Sequence, residues 1–175
     1  MTMAVENRVL VVGTGLQGKA VIHDLDGSPL IGEVVAADHD LEGARRFAAE
    51  NGLGKVRFLP LDASHEQAVE SAIKASGANL VVSMLPVSFG PLIARAALDA
   101  GVPYVSSNYA GALVELDQEA RAKGVTILPE MGMDPGIDLL LGQMAIAELD
   151  EVHGLYSYGA GLPEPDCADN PLRYK

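Results

Sequence analysis

Short β-branched apolar runs alternate with longer stretches of helical character through most of the chain. The runs are Val9-Leu10-Val11-Val12, Val34-Val35-Ala36-Ala37, Val56-Arg57-Phe58-Leu59, Leu80-Val81-Val82-Ser83, Pro103-Tyr104-Val105 and Val125-Thr126-Ile127-Leu128. Near-continuous apolar strands of this kind are buried on both faces, the habit of a parallel sheet. The segments between them carry helix signals. Asp40 stands as N-cap before Leu41–Asn51, which stops at Gly52. Ser64 precedes a helix over His65–Ala75, closed by Gly77. Pro91–Ala100 puts Leu92, Ile93, Ala96, Ala97 and Ala100 on one stripe ahead of Gly101, and Ala112–Lys123 ends at Gly124. Strands alternating with helices of this length predict right-handed crossovers and an α/β fold, a doubly wound parallel sheet covered on both faces.

The pattern changes after Leu140. Leu139–Leu149 predicts one more helix and Val152–Tyr158 a strand, and the tail Gly159–Lys175 is rich in Gly, Pro and Asp with few apolar residues. Residues 1–150 are therefore expected to form one domain. Residues 151–175 are expected to be the truncated start of a second, α+β domain.

Charge and composition narrow the function. Twelve Lys and Arg against 24 Asp and Glu give a formal net charge of −12. So acidic a surface repels phosphate backbones and anionic bilayers, so neither nucleic acid nor membrane is an expected partner. No apolar run reaches the roughly 18 residues of a membrane span, and the start of the chain lacks signal-peptide character. The single cysteine, Cys167, cannot form an intrachain disulfide, which fits a reducing compartment such as the cytoplasm. Aromatic residues are 5% with no Trp, which leaves base-stacking platforms poorly supported.

The sharpest chemical signal is Gly13-Thr14-Gly15-Leu16-Gln17-Gly18, placed directly after the first strand and at the start of a helix. Gly13 permits the tight turn, Gly15 lets a pyrophosphate reach bare backbone, and Gly18 lets the helix pack closely on the strand. The helix N-terminus then presents free N–H groups and a positive dipole end to the phosphates. Asp38, at the end of the second strand, stands about 20 residues beyond the last motif glycine. A carboxylate there accepts hydrogen bonds from the adenosine ribose hydroxyls and repels a 2′-phosphate. Asp40 adds to that repulsion, and Arg45 and Arg46 lie more than a helical turn further on. The reading is a Rossmann-type dinucleotide-binding domain that favours NAD, with NADP possible. A glycine turn that binds nothing, with Asp38 and Asp40 capping the next helix, is the plainer alternative.

Other strand ends face the same crevice in such a sheet. Asp62 either borders the adenine or caps a helix. Ser83-Met84-Leu85-Pro86 suits a loop lying along a dinucleotide, and Ser106-Ser107-Asn108-Tyr109 offers four hydrogen-bonding side chains. Asp134-Pro135-Gly136 either serves the site or caps the following helix. His23, His39, His65 and His153 show no metal-ligand spacing, no G-x-S-x-G elbow is present, and Cys167 sits in a polar tail.

Together these stretches resemble one family. Val82-Ser83-Met84-Leu85-Pro86 resembles V-I-S-L-[IL]-P, and Ser107-Asn108-Tyr109 with Glu115-Leu116 resembles an S-Y…E-L block. Residues 130–138 (EMGMDPGID) resemble E-[IL]-G-L-D-P-G-[IL]-D, and Tyr158–Pro163 with Asn170–Lys175 resembles Y-C-G-G-L-P followed by N-P-L-x-Y-K. The family is saccharopine dehydrogenase of the glutamate-forming type, also called saccharopine reductase. The resemblance implies an oxidoreductase that interconverts saccharopine with glutamate and aminoadipate semialdehyde, a small-molecule amino acid substrate, and a homodimer built through a second domain. It also implies site roles. Thr14, Gly15, Leu16 and Gln17 would hold the pyrophosphate. Asp38, His39 and Asp40 would meet the ribose, and Asp62 and Ala63 the adenine. Val82, Ser106, Ser107, Met133, Asp134 and Pro135 would line the nicotinamide side, with Ser83 in the loop along the dinucleotide. Ser107, Asn108 and Asp134 would meet substrate, with Asp134 as proton acceptor. The chain departs from the family's C-R-T at the ribose position, where it has Asp38-His39-Asp40, and from Cys-Gly, where it has Gly159-Ala160. A lysine 6-dehydrogenase-like enzyme and a non-catalytic dinucleotide-binding module are the alternative functions.

Overall fold

The computed structural model describes residues 7–159. Six strands form one parallel sheet in the order β3-β2-β1-β4-β5-β6. They are β1 (Asn7–Val12), β2 (Ile31–Asp38), β3 (Val56–Pro60), β4 (Leu80–Ser83), β5 (Tyr104–Ser106) and β6 (Ile127–Leu128). The helices are α1 (Leu16–Gly27), α2 (Glu42–Glu50), α3 (Glu66–Ser76), α4 (Gly90–Asp99), α5 (Asp117–Lys123) and α6 (Ile137–Ala147). All six apolar runs fall on strands, so the expected doubly wound α/β sheet is the one observed.

The apolar runs are continuous because each central strand feeds two cores. Leu10, Val12, Val35, Ala37 and Val81 point to one face and pack with Val69 and Ile73 of α3 and Ile93 and Ala97 of α4. Val9, Val11, Val34, Ala36 and Val82 point to the other and meet Ile22 of α1. Alternate side chains of one strand go to opposite faces, so both parities must be apolar. The order of the sheet places a reversal between β1 and β4: β1 leads outward to β2 and β3, while β4 leads the other way. A crevice opens at the carboxyl ends of the strands at that reversal.

Four elements differ from the sequence expectation. The helix expected over Ala112–Lys123 is a 3-10 turn over Gly111–Leu116 followed by α5. Leu113 and Leu116 are both buried, and the three-residue repeat of a 3-10 helix puts them on one face. β6 is two residues long, since only Ile127 and Leu128 pair with Tyr104 and Val105 at the edge. Residues 152–158 form no strand; they are exposed, with Tyr156 and Tyr158 standing in solvent. A strand needs a neighbour to satisfy its backbone groups, and no described residue pairs with this segment. α6 is present but starts at Ile137, two residues earlier than expected. It is apolar around its whole circumference and exposes Leu139, Leu140, Leu141 and Met144. The boundary expected near residue 150 is untested by this arrangement, and the resemblance carried by residues 160–175, with Cys167, lies outside the described residues. No described helix is long and apolar enough to cross a membrane.

Candidate functional site

The loop between β1 and α1 is closed by contacts that only glycine permits. Gly13 has φ +96, and a Cβ there would lie 2.9 Å from the Met84 carbonyl carbon and 3.0 Å from the Leu85 nitrogen. A Cβ on Gly18 would lie 1.9 Å from the Gly13 carbonyl oxygen, so α1 packs directly on the turn. Gly15 is different: nothing lies within 4 Å of where its Cβ would be, and Gly15, Leu16 and Gln17 are exposed. Two glycines of the motif thus serve the fold, and the middle one leaves open space over bare backbone. Gly15 is the N-cap of α1 and no side chain caps the first turn, which leaves that helix end to attract an anion.

Asp38 sits at the tip of β2 and reaches back to this loop. Its Oδ2 accepts the Thr14 N–H at 2.6 Å and the Thr14 hydroxyl at 3.1 Å. Its Oδ1 accepts the His39 N–H at 2.7 Å and a long contact from the Asp40 N–H at 3.4 Å. Partial burial works to raise the Asp38 pKa, but these hydrogen bonds outweigh it and hold the group below the ordinary carboxylate value. Asp38 is therefore a fixed negative charge between the loop and β2. The N-cap of α2 is Leu41 rather than the expected Asp40, and Asp40 accepts the Glu42 N–H at 3.0 Å just ahead of the helix.

Beside Asp38 the crevice holds a mostly apolar cavity of about 240 Å³. Its walls are Val12 and Gly13 from β1, Ala37, Asp38 and His39 from β2, Leu61, Asp62 and Ala63 after β3, and Leu85, Pro86 and Phe89 after β4. The 84–86 loop thus lies along the crevice, as the sequence suggested. Asp62 lines it while also organising the start of α3: its Oδ1 accepts the Ser64 hydroxyl at 2.6 Å and the Ser64 N–H at 3.0 Å. Those two bonds hold its pKa below the usual carboxylate range. A slot of this size and polarity fits a planar base, and the open backbone at Gly15 fits a diphosphate. The residues present thus fit a dinucleotide.

Further along the crevice the expected residues divide. Asn108 donates from Nδ2 to the Leu85 carbonyl at 2.9 Å, tying the loop after β5 to the loop after β4. Asp134 does not cap α6. The N-cap is Gly136 and no side chain caps the helix; Asp138 in its first turn accepts the Gly136 N–H at 2.8 Å, while Asp134 Oδ1 accepts the Tyr109 hydroxyl at 2.8 Å. That bond, with the Asp134 charge behind it, pushes the Tyr109 phenol above its ordinary value. Glu130, with φ +64, accepts the Ala110 N–H at 3.0 Å and links the same two loops. Met133 is exposed, and the Asp134–Pro135 bond is cis.

Ser83 and Ser106 are placed otherwise than expected. Both are 0% exposed and face Tyr104 in the core, so no side chain of theirs reaches the crevice surface. Parity explains it: Ser83 shares a face with Val81, and Ser106 with Tyr104. Burial pushes the Tyr104 phenol up, partly offset by the nearby Ser106 and Ser83, yet none of the three hydroxyls has a hydrogen-bond partner of good geometry among the described residues. Val82 is buried against the opposite core, and Ser107 is half-buried. The Tyr109–Asp134 pair and Glu130 are the features that residue-by-residue reading did not assemble. Their partners lie 25 and 20 residues apart in sequence, in loops whose paths no local pattern predicts. Among the described residues no group of three His, Cys, Asp or Glu side chains forms a metal site.

Comparison with known proteins places this geometry. Residues 9–128 match the family model described as "Saccharopine dehydrogenase NADP binding domain". The saccharopine dehydrogenase [NADP(+), L-glutamate-forming] of Pyricularia oryzae is 33% identical over 95% of this chain and 37% of its own length. The mitochondrial alpha-aminoadipic semialdehyde synthase of Bos taurus is 32% identical over 100% of this chain and 19% of its own. Among solved structures, apo saccharopine dehydrogenase (L-Glu forming) from Saccharomyces cerevisiae superposes with a TM-score of 0.74 at 32% identity, over 97% of this chain and 38% of that one. An NAD binding oxidoreductase from Klebsiella pneumoniae, at 21% identity and a TM-score of 0.55, shares the fold. The chain thus spans well under half the length of these relatives. A family model that covers most of the chain, and relatives a third identical along nearly all of it, establish that the chain belongs to the saccharopine dehydrogenase NADP-binding domain family.

Proposed function

We propose that this chain is the cofactor-binding part of a saccharopine dehydrogenase-type oxidoreductase acting on the CH–NH group of an amino acid derivative, and that its cofactor is NAD. The observation that carries the cofactor reading is the Asp38 carboxylate. It is held ionised at the tip of β2 by Thr14 and His39, beside a loop whose central glycine leaves the backbone bare. A 2′-phosphate placed at this strand end meets the fixed charge of Asp38 with Asp40 next to it. A ribose hydroxyl, uncharged, meets no such repulsion. The bound nicotinamide supplies hydride acceptance. The chain supplies position: Gly15, Leu16 and Gln17 face the diphosphate, Asp38 orients the ribose, and Leu61, Ala63 and Phe89 exclude water from the base.

Asp134 is the group suited to the substrate side. Its carboxylate is held by Tyr109 and attracts the cationic amine of an amino acid. It is also a base able to take a proton as a C–N carbon is oxidised. Ser107 and Asn108 stand at the end of β5 on the same side. Saccharopine, converted to glutamate and aminoadipate semialdehyde, is the substrate this reading favours, with a homodimer as the working assembly and the cytoplasm as the compartment. Fluorescence titration with NADH and NADPH tests the cofactor. NADH binding at least ten-fold tighter than NADPH supports the reading; the reverse order overturns it.

A further inference from the structure

The adenosine corner of the crevice carries a contact that determines what a ribose must do to bind. An ionised carboxylate offers about four lone-pair positions. On Asp38, two at Oδ2 are taken by the Thr14 N–H at 2.6 Å and the Thr14 hydroxyl at 3.1 Å. At Oδ1 one is taken by the His39 N–H at 2.7 Å, and the His39 ring covers the remaining side, its Nδ1 standing 2.7 Å away. The Asp40 N–H adds only a long contact at 3.4 Å. The protein itself thus fills or covers the acceptor positions of this carboxylate.

The four groups around it differ in how easily they leave. One is the His39 main chain, and two belong to Thr14, which is 4% exposed and locked in the glycine loop. The His39 side chain is 81% exposed. It lies at the mouth of the cavity that Asp62 also lines, and Asp62 is already engaged by Ser64 and by the His65 ring at 3.1 Å. We propose that His39 sets cofactor affinity by occupying, in the free protein, the acceptor position on Asp38 that the adenosine ribose must take. This inference rests on the reading of Asp38 as the ribose ligand. The imidazole swings outward as the ribose hydroxyl arrives, and the affinity observed is what remains after that exchange.

The consequence is specific to the ribose. Exposed pairs of this kind contribute little, so removing the ring tightens ribose binding by roughly 1.4- to 5-fold. A nucleotide with no hydroxyl to give Asp38 gains nothing. The test is calorimetric titration of the chain and of His39→Ala with NAD, 5′-AMP and 2′,3′-dideoxy-5′-AMP, with thermal unfolding as a check that the exposed substitution leaves the fold intact. The expected result is tighter NAD and 5′-AMP binding by the variant and an unchanged dideoxynucleotide. NAD binding that is equal or weaker in the variant overturns the inference, as does an equal gain for the dideoxynucleotide. Failure of both proteins to bind NAD removes the dinucleotide reading itself, and this inference with it.

Discussion

The three glycines of the phosphate loop make separable demands, and substituting them one at a time pulls fold and binding apart. Gly15 has φ −64 and ψ −160, a conformation open to any residue, and no atom lies within 4 Å of where a Cβ would stand. As the N-cap of α1, replacing it with Val forfeits a favourable cap, costing on the order of 1 kcal/mol or less. For a chain of this length that is a fall in Tm of about 2–4 °C. The valine nonetheless fills the space over the backbone where the proposed dinucleotide would lay its diphosphate. Loss of that approach should weaken NAD by at least about 100-fold, or about 2.7 kcal/mol. Gly18→Ala is the opposite case. Its Cβ would stand 1.9 Å from the Gly13 carbonyl oxygen, a backbone atom that cannot rotate away. Such overpacking costs roughly 1–3 kcal/mol or more, and the loop itself must shift. Circular dichroism melts and calorimetric NAD titrations on both variants decide the matter. Gly15→Val should melt near the parent and fail to bind, whereas Gly18→Ala should melt lower. Parental NAD affinity in Gly15→Val would refute the assignment of that space to the diphosphate.

Other expectations follow from single contacts. Asp38→Asn loses charge-assisted bonds to Thr14 and His39 and should be less stable by about 1–2 kcal/mol at pH 7. The folded Asp38 pKa lies below its unfolded value, so its contribution is fully present above the unfolded pKa. It disappears as pH falls through the folded one. Urea melts from pH 7 downward should therefore show parent and variant converging in acid, and a constant gap would count against the clasp. The same variant should narrow the preference for NADH over NADPH. Asp134→Asn removes the charge that raises the Tyr109 phenol, so spectrophotometric alkaline titration should show one tyrosine ionising at lower pH than in the parent. Leu10→Ala opens a hole in a fully buried position between β1 and the α3–α4 layer. It should cost roughly 2–5 kcal/mol in chemical denaturation.

What could be read from the sequence is what local chemistry dictates. The strands β1, β2 and β4 are legible because both faces of each are apolar, and the loop at Gly13–Gly18 because a turn, a close approach and a helix start each require glycine at a fixed step. Asp38 is legible by its distance from that loop. The inward placement of Ser83 and Ser106 was available from strand parity, which the motif resemblance obscured. The link from Thr14 to Asp38, the His39 ring on the same carboxylate, and the pairing of Tyr109 with Asp134 were not available. Each depends on where two loops meet once the sheet has formed. Residues 152–158 alternate well enough to suggest a strand, yet a strand is a property of a pair, and no described segment supplies its partner.

Cofactor, substrate and specificity all depend on a dinucleotide lying across the β1–β4 crevice, with its diphosphate on the Gly15 backbone and its ribose on Asp38. A crystal structure of the chain with NADH would decide this. Electron density for the diphosphate is expected against Gly15–Gln17, with ribose oxygens within hydrogen-bond distance of Asp38 Oδ1 and the base between Leu61, Ala63 and Phe89. Crystals soaked at millimolar NADH that show an empty crevice, or the nucleotide bound elsewhere, would rule it out.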